Sequence, residues 1–334
     1  MRVRCLLPWL SSGVLIAGTS IAAARDAPAA VEPAAADPVS ERVIRAGKSE
    51  LRIRVDAPDH ARAEELHRWL AEVARTSLTA IGRFPLATAQ VRVAQIDSRD
   101  ASPVPWGQTS RRRDVAVLLY VRRDATFAEL RDDWTAVHEL AHLFHPYLGT
   151  RGRWLAEGLA SYYQNVLRAR AGLLGEAQAW QRLDAGFARG RNATTGVRLD
   201  ELGRRRGGTM RVYWAGAAYW LEADLALRAR GSDLDAVLAG YSRCCLRGTA
   251  TVAPEAFVAE LDRIAGGEIF TRLHRRYAAA LEFPALGDAY RQLGITSGDG
   301  RLQFSARADA VRLRNAVMGR RTAATAADQS QDAR

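Results

Sequence analysis

His138-Glu139-Leu140-Ala141-His142, with 14 residues before Glu157 in Trp154-Leu155-Ala156-Glu157-Gly158, is the stretch that decides how this chain folds. Residues four apart on a helix stand one turn above each other, so both imidazoles can face one ion. A catalytic zinc takes three protein ligands and leaves a fourth position open, and a later carboxylate can complete the set. Glu139 sits next to the first ligand and points at that open position rather than at the metal. The competing reading is a surface helix with two satisfied histidines and Glu157 paired to an arginine. Three of the six histidines of the chain fall within these eight residues, which speaks against it.

Working outward, Val137, Leu140, Ala141 and Phe144 form an apolar stripe on a helix predicted over Thr126–His145, with His138 and His142 at its edge. A second helix is predicted over Arg153–Leu167, with Leu155, Leu159, Tyr162 and Val166 as its core stripe. Glu157, Ser161 and Gln164 share a neighbouring face. A carboxylate among apolar neighbours is costly to bury unless it meets a cation or donors. His145 could extend the histidine series. Pro146 follows it and disfavours helical geometry there, so His145 is expected beside the ion rather than on it.

Upstream, Glu50–Val55 alternates apolar and polar residues as a strand does, and Gln90–Ile96 and Asp114–Val121 read as further strands. Asp59 caps a helix running to Ile81, with Leu66, Leu70, Val73, Ala74, Leu78 and Ile81 on one face. Pro103, Pro105 and Gly107 mark a loop. From Met210 the pattern is helical nearly to the end, broken near Gly231, Gly240 and Gly266-Gly267.

The first residues carry Arg2 and Arg4, an apolar run from Leu6 to Ile21 and the small residues Ala22-Ala23-Ala24, the pattern of a cleavable secretory signal. The expected organisation is a signal peptide over 1–24 and a Pro- and Ala-rich flexible leader over 25–47. An α/β zinc-binding lobe over 48–170 and a helical lobe over 171–316 follow, then a disordered tail over 317–334. The product is expected to be soluble, monomeric, and periplasmic or secreted.

The formal charge is +11 at pH 7, nearly all of the excess is arginine, and Lys48 is the sole lysine. The arginines are scattered and the chain is expected to be exported, so nucleic acid is not an expected partner. Weak attraction to an anionic envelope surface fits the same charge. Arg111-Arg112-Arg113 and Arg204-Arg205-Arg206 read as solvated loops. Cys244 and Cys245 are adjacent and cannot form an ordinary disulfide without strain, so no disulfide framework is expected.

These motifs resemble the glycyl aminopeptidase family of zinc metallopeptidases, in a short version without a PDZ domain. Those enzymes are gluzincins, more distantly related to thermolysin and to the aminopeptidases of the leukotriene-hydrolase type. The resemblance rests on His-Glu-x-x-His, on the Trp-Leu-x-Glu-Gly-x-x-Ser-Tyr-Tyr helix, and on Tyr213-Trp214-Ala215-Gly216 opening a later helix. It spans roughly Ala125–Leu293. It implies an α+β, thermolysin-like catalytic domain, with a mixed α/β N-terminal lobe carrying the zinc helix and a helical C-terminal lobe. It further implies one Zn2+ per chain held by His138, His142 and Glu157, with Glu139 as general base. Tyr213 takes the place of the hydroxyl that meets the oxyanion, with Tyr219 and Tyr163 as lesser candidates. Where the relatives keep an acid on a Gly-rich edge strand, this chain has Trp106-Gly107-Gln108-Thr109-Ser110 and no acid.

The leading expectation is an exported zinc peptidase acting on peptides or proteins, with exo or endo cleavage open. The alternative is a zinc-containing envelope binding module without turnover. Glu139 speaks against that alternative, since a purely structural site has no use for a base there.

Overall fold

Leu51, Ile53 and Val55 are buried while Arg52 and Arg54 between them face outward, because only one face of their strand meets the core. In the computed structural model, residues 39–193, 196–205, 207–298 and 301–322 are described, and the expected signal peptide lies outside them. Strand β2 (Ser49–Asp56) pairs antiparallel with β1 (Val39–Ala46) and parallel with β3 (Thr88–Ile96). The crossover between β2 and β3 is α1 (His60–Ile81). Asp59 caps α1 by accepting from the Arg62 N–H at 2.8 Å, and Gly82 ends it at φ 71°. The predicted stripe from Leu66 to Ile81 is buried throughout. Strand β4 (Trp106–Arg111) is the edge of the sheet and runs antiparallel to β5 (Val115–Arg122), giving the order β1-β2-β3-β5-β4.

Under this sheet run α2 (Phe127–Asp132) and α3 (Thr135–Ala141), followed by a 3-10 turn over His142–Phe144. The helical lobe begins with α4 (Arg153–Arg170), α5 (Glu176–Asn192), α6 (Leu199–Leu202) and α7 (Thr209–Arg228). It continues through α8 (Leu234–Cys244), α9 (Pro254–Ala265), α10 (Ile269–Ala278) and α11 (Gly287–Leu293). A hairpin of β6 (Ile295–Gly298) and β7 (Arg301–Phe304) then leads to α12 (Ala308–Met318). No helix among the described residues is long and apolar enough to cross a membrane. The architecture is the expected α+β arrangement, a mixed sheet lobe ahead of a helical one.

Several expectations are corrected. The stretch assigned to a leader over 25–47 contains β1, whose Ser40 hydroxyl lies 3.0 Å from His67 Nε2 on α1. The single helix expected over Thr126–His145 breaks at Asp133-Trp134. Asp133 is extended and its carboxylate accepts from the Thr135 N–H at 2.7 Å, a local bond that restarts the helix. Gly107 belongs to β4 rather than to a loop, and Gly240 lies inside α8 rather than at a break. Of the tail expected over 317–334, residues 317–322 belong to the described structure and the rest lie outside it. Val317 and Met318 are buried, and Arg321 reaches Asp235 at 3.0 Å beside the buried Arg170–Asp235 pair at 2.9 Å. Cys244 and Cys245 are nonetheless joined in a disulfide, and Cys245 leaves helical geometry at the end of α8.

The arginine excess also has an internal use. Arg211 is fully buried and donates to the carbonyls of Val197, Ala280 and Glu282, at 2.9, 2.6 and 3.1 Å. A guanidinium can satisfy several carbonyls at once from one rigid fork, which the ammonium of a lysine does less well.

Within the helical lobe, α4 crosses α7 at close range. A Cβ on Gly158 would lie 2.3 Å from the Gly216 carbonyl carbon, and one on Gly216 would lie 1.9 Å from the Trp154 oxygen. Both glycines are therefore needed for backbone contact at the crossing, not for a left-handed conformation. Gly216→Ala is expected to lower stability by about 3 kcal/mol, the upper end for overpacking a tight contact. Gly175→Ala, with nothing within 4 Å of its added Cβ, is the control. Thermal unfolding checks this: equal midpoints for the two variants would mean that the crossing tolerates a methyl group.

Candidate active site

The ligand pair begins with the backbone of α3. His138 is the fourth residue of that short helix and His142 caps its end, so the two rings project to the same side with centroids 5.0 Å apart. Glu157 is the fifth residue of α4, one turn after its start. Its Oε2 lies 3.3 Å from His138 Nε2 and 3.6 Å from His142 Nε2. Ligand arms of about 2.1 Å around a tetrahedral zinc put neighbouring donor atoms about 3.4 Å apart. The three atoms thus stand where a tetrahedral ion needs them, and all lie within 4.8 Å of one another.

The remaining ring nitrogens decide which tautomers are present. His138 Nδ1 donates to Gln164 Oε1 at 2.8 Å, leaving its Nε2 lone pair for the cluster. His145 Nδ1 donates to the Pro146 carbonyl at 2.7 Å, so its Nε2 accepts the Nδ1 proton of His142 at 2.9 Å. That chain leaves His142 Nε2 bare as well. His145 is extended at φ −133° and ψ 157°, as its position before Pro146 predicts, and it touches the far side of the His142 ring. Burial, with the neighbouring His142 and Arg111, holds His145 well below the usual histidine range and therefore neutral. The donor set, two bare imidazole nitrogens and one carboxylate, fits a zinc ion.

Glu157 stays ionised although it is buried. Burial alone would raise its pKa, but the two imidazoles beside it hold it well below the usual carboxylate range. The Arg153 guanidinium, one turn before it, lies 3.8 Å from its Oε1. Glu139 behaves in the opposite way: burial pushes its carboxyl up, against the pull of the two imidazoles. The Thr109 hydroxyl sits 3.0 Å from Glu139 Oε2 and 2.9 Å from its carbonyl oxygen. Edge strand β4 lies directly on this residue. A Cβ on Gly107 would come within 2.8 Å of Glu139 Cγ, so only glycine lets the strand pass so close.

Tyr213 is in the first turns of α7. Its ring stacks on His138 with centroids 5.8 Å apart and planes 8° from parallel. Burial, then the adjacent Glu157 carboxylate, pushes its phenol well above the usual value, so it remains a proton donor. The crossing of Gly158 and Gly216 explains the placement. Glu157 precedes one glycine and Tyr213 lies one turn before the other, so the closest point of the two helices sets both side by side. Tyr219 and Tyr163 stand elsewhere. Their hydroxyls donate to the Phe270 carbonyl at 3.1 Å and to Asp235 at 2.7 Å inside the core.

Glu139, His142, Glu157 and Tyr213 line one cavity of about 560 Å³, walled on one side by β4 from Gly107 to Arg111. Arg111 is a residue the sequence reading misplaced. It is not on a solvated loop, because its guanidinium donates to the carbonyls of His142, His145 and Gly248 at 2.7, 2.6 and 2.5 Å. Burial pulls it down to about 10. It anchors the turn that carries His142 to the edge strand. The Arg-Arg-Arg run hid this role, and β4 carries no alternation that would have revealed it.

Residues 144–202 match the family model of M61 glycyl aminopeptidase. The fold is similar to that of an aminopeptidase N family protein from Idiomarina loihiensis. The TM-score is 0.58 at 12% identity, over 77% of this chain and 49% of that one. It is also similar to a two-domain M1 zinc metallopeptidase solved in mutant form with L-arginine bound. There the TM-score is 0.50 at 17% identity, over 75% of this chain and 54% of that one. The chain spans about half the length of these solved structures. No curated protein matches it. The architecture is thus similar to that of the matching part of these solved structures. Within that fold, residues 144–202, which carry Glu157, are the part similar to the glycyl aminopeptidases.

Proposed function

We propose that this chain is an exported, zinc-dependent peptidase that hydrolyses peptide bonds. The observation that carries the proposal is the convergence of His138 Nε2, His142 Nε2 and Glu157 Oε2, with Glu139 beside them in a cavity walled by an edge strand. His138, His142 and Glu157 would hold the ion. When bound, zinc brings the pKa of a water in its open position to about 7. Glu139 is placed to take that water's proton and pass it to the leaving amine, and its raised pKa suits a group that must do both. Tyr213 is placed to donate to the oxygen that becomes negative as the carbonyl is attacked. The row of backbone N–H and C=O groups on β4 suits an extended peptide, the mode in which a sheet edge accepts another strand. Export rests on the N-terminal pattern of Arg2, Arg4, the apolar run and Ala22–Ala24.

The expected result is one equivalent of zinc in the purified protein, measured by elemental analysis. His138→Ala and His142→Ala lose it, and His145→Ala retains most of it, since that ring acts only through His142. Second-sphere losses of this kind are about 10–100-fold in affinity. A wild-type protein free of transition metal, or a His145→Ala variant as empty as His142→Ala, would overturn the ligand set.

A further inference from the structure

Gln164 stands between His138 and a second cavity. On one side its amide holds His138, and on the other it lines a second cavity of about 360 Å³ between α4, α5 and α7. Tyr213 borders both spaces. The face of α4 that begins with Glu157 runs on through Ser161 and Gln164 to Arg168, at steps of four, three and four, directly into this second space. Arg182 and Arg189, seven apart on α5, complete its lining, and the lining contains no carboxylate.

The charges here are poorly balanced. Arg168 is 1% exposed, and its Nη2 donates to the Asp132 carbonyl at 2.6 Å. Its Nε and Nη1 are buried and have no hydrogen-bond partner among the described residues. The Asp132 carboxylate stands 3.6 Å from both Arg168 and Arg182 but is itself largely exposed to water. Asp133 acts on Arg168 only more weakly still. Burial and the like charge of Arg182 pull Arg168 down to about 10. Arg189 rests on the face of Trp214, its guanidinium carbon 4.9 Å from the ring centroid, without an acid of its own. A buried, partly unpaired guanidinium costs free energy unless something anionic completes it.

We infer that this second cavity is an anion subsite, in which Arg168, Arg182 and Arg189 seat a carboxylate of the peptide being cleaved. The inference rests on the peptidase reading, because the cavity adjoins the reacting centre through Tyr213. It assigns a substrate class: peptides carrying an acidic side chain, or a free C-terminal carboxylate, a short distance from the scissile bond. Guanidinium forks match a carboxylate in shape and charge, and the aliphatic part of the ligand would lie against Trp214 and Met210.

The test is binding, read by calorimetry on the full chain carrying Glu139→Gln, so that nothing is turned over. The probes are tripeptide amides of alanine with Glu or Gln placed at each position in turn, and trialanine with a free or an amidated C-terminus. At one position Glu should bind at least ~10-fold more tightly than Gln, the strength of a charge-assisted hydrogen bond. The preference should shrink at higher salt and vanish in Arg182→Gln/Arg189→Gln. Both of those side chains are partly exposed, so the double variant should fold even if Arg168→Gln does not. A preference confined to the free C-terminus would keep the subsite and assign it to the peptide end. Equal binding of Glu and Gln peptides together with equal binding of the two termini, or no binding at all, would overturn it. Hydrolysis by the wild-type chain is scored separately. If no peptide is cleaved while the arginine-dependent preference persists, the peptidase reading fails and the subsite stands.

Discussion

Glu139→Gln is expected to lower peptide turnover by about 10²–10⁴-fold, the range for removing a general base, while zinc content stays at one equivalent. Gln has the shape of the acid and can still accept from the Thr109 hydroxyl 3.0 Å away, so the packing of β4 on α3 should survive. What disappears is the capacity to take a proton. Gly107, whose missing side chain leaves space for the Glu139 Cγ, presents no new clash to the amide. Single-turnover kinetics beside elemental analysis checks this. Loss of zinc in the variant would make Glu139 a ligand, and undiminished turnover would remove it from the chemistry altogether.

Tyr213→Phe is expected to reduce kcat by about 10²–10³-fold with little change in KM, as when one oxyanion donor is removed. The hydroxyl meets charge that exists only in the transition state, so the ground-state complex should not register its loss. The ring would keep its stacking on His138, 5.8 Å away and nearly parallel, so the ligand should not move. Equal kcat in the variant would leave Tyr213 a packing residue. A loss confined to KM would place it in substrate binding instead.

Much of this was legible in the sequence because the informative residues are close together in it. His138, Glu139 and His142 lie within two turns, and the periodicity of α1 and the cap at Asp59 are local signals that packing left intact. For Glu157 the apolar neighbours asked only for a cation or donors, which an arginine could also have supplied, and its place as third ligand came from the family resemblance. What the sequence concealed depends on distant contacts. Arg111 reads as one of three solvated arginines until the turn at His142–His145 is folded against it. The break at Asp133 rests on a single side-chain bond. The role of Gly107 is set by a residue 32 positions later. β1 was hidden by its position beside a Pro- and Ala-rich stretch, and its partner β2 supplies the order that composition alone did not suggest.

The crossing of α4 and α7 has one more consequence. Residues on one face of a helix recur about every 5.4 Å, so a slip of α7 along α4 by one turn would bring Val212 or Trp220 to the place of Gly216. A side chain there would strike the Trp154 carbonyl. The contact therefore behaves as a detent: the helices are in register or they are apart, with no graded positions between. Glu157 and Tyr213 ride on that detent, one on each helix. Their separation is fixed to within side-chain motion for as long as the two helices hold together, and the ion site and the phenol are gained or lost as one unit.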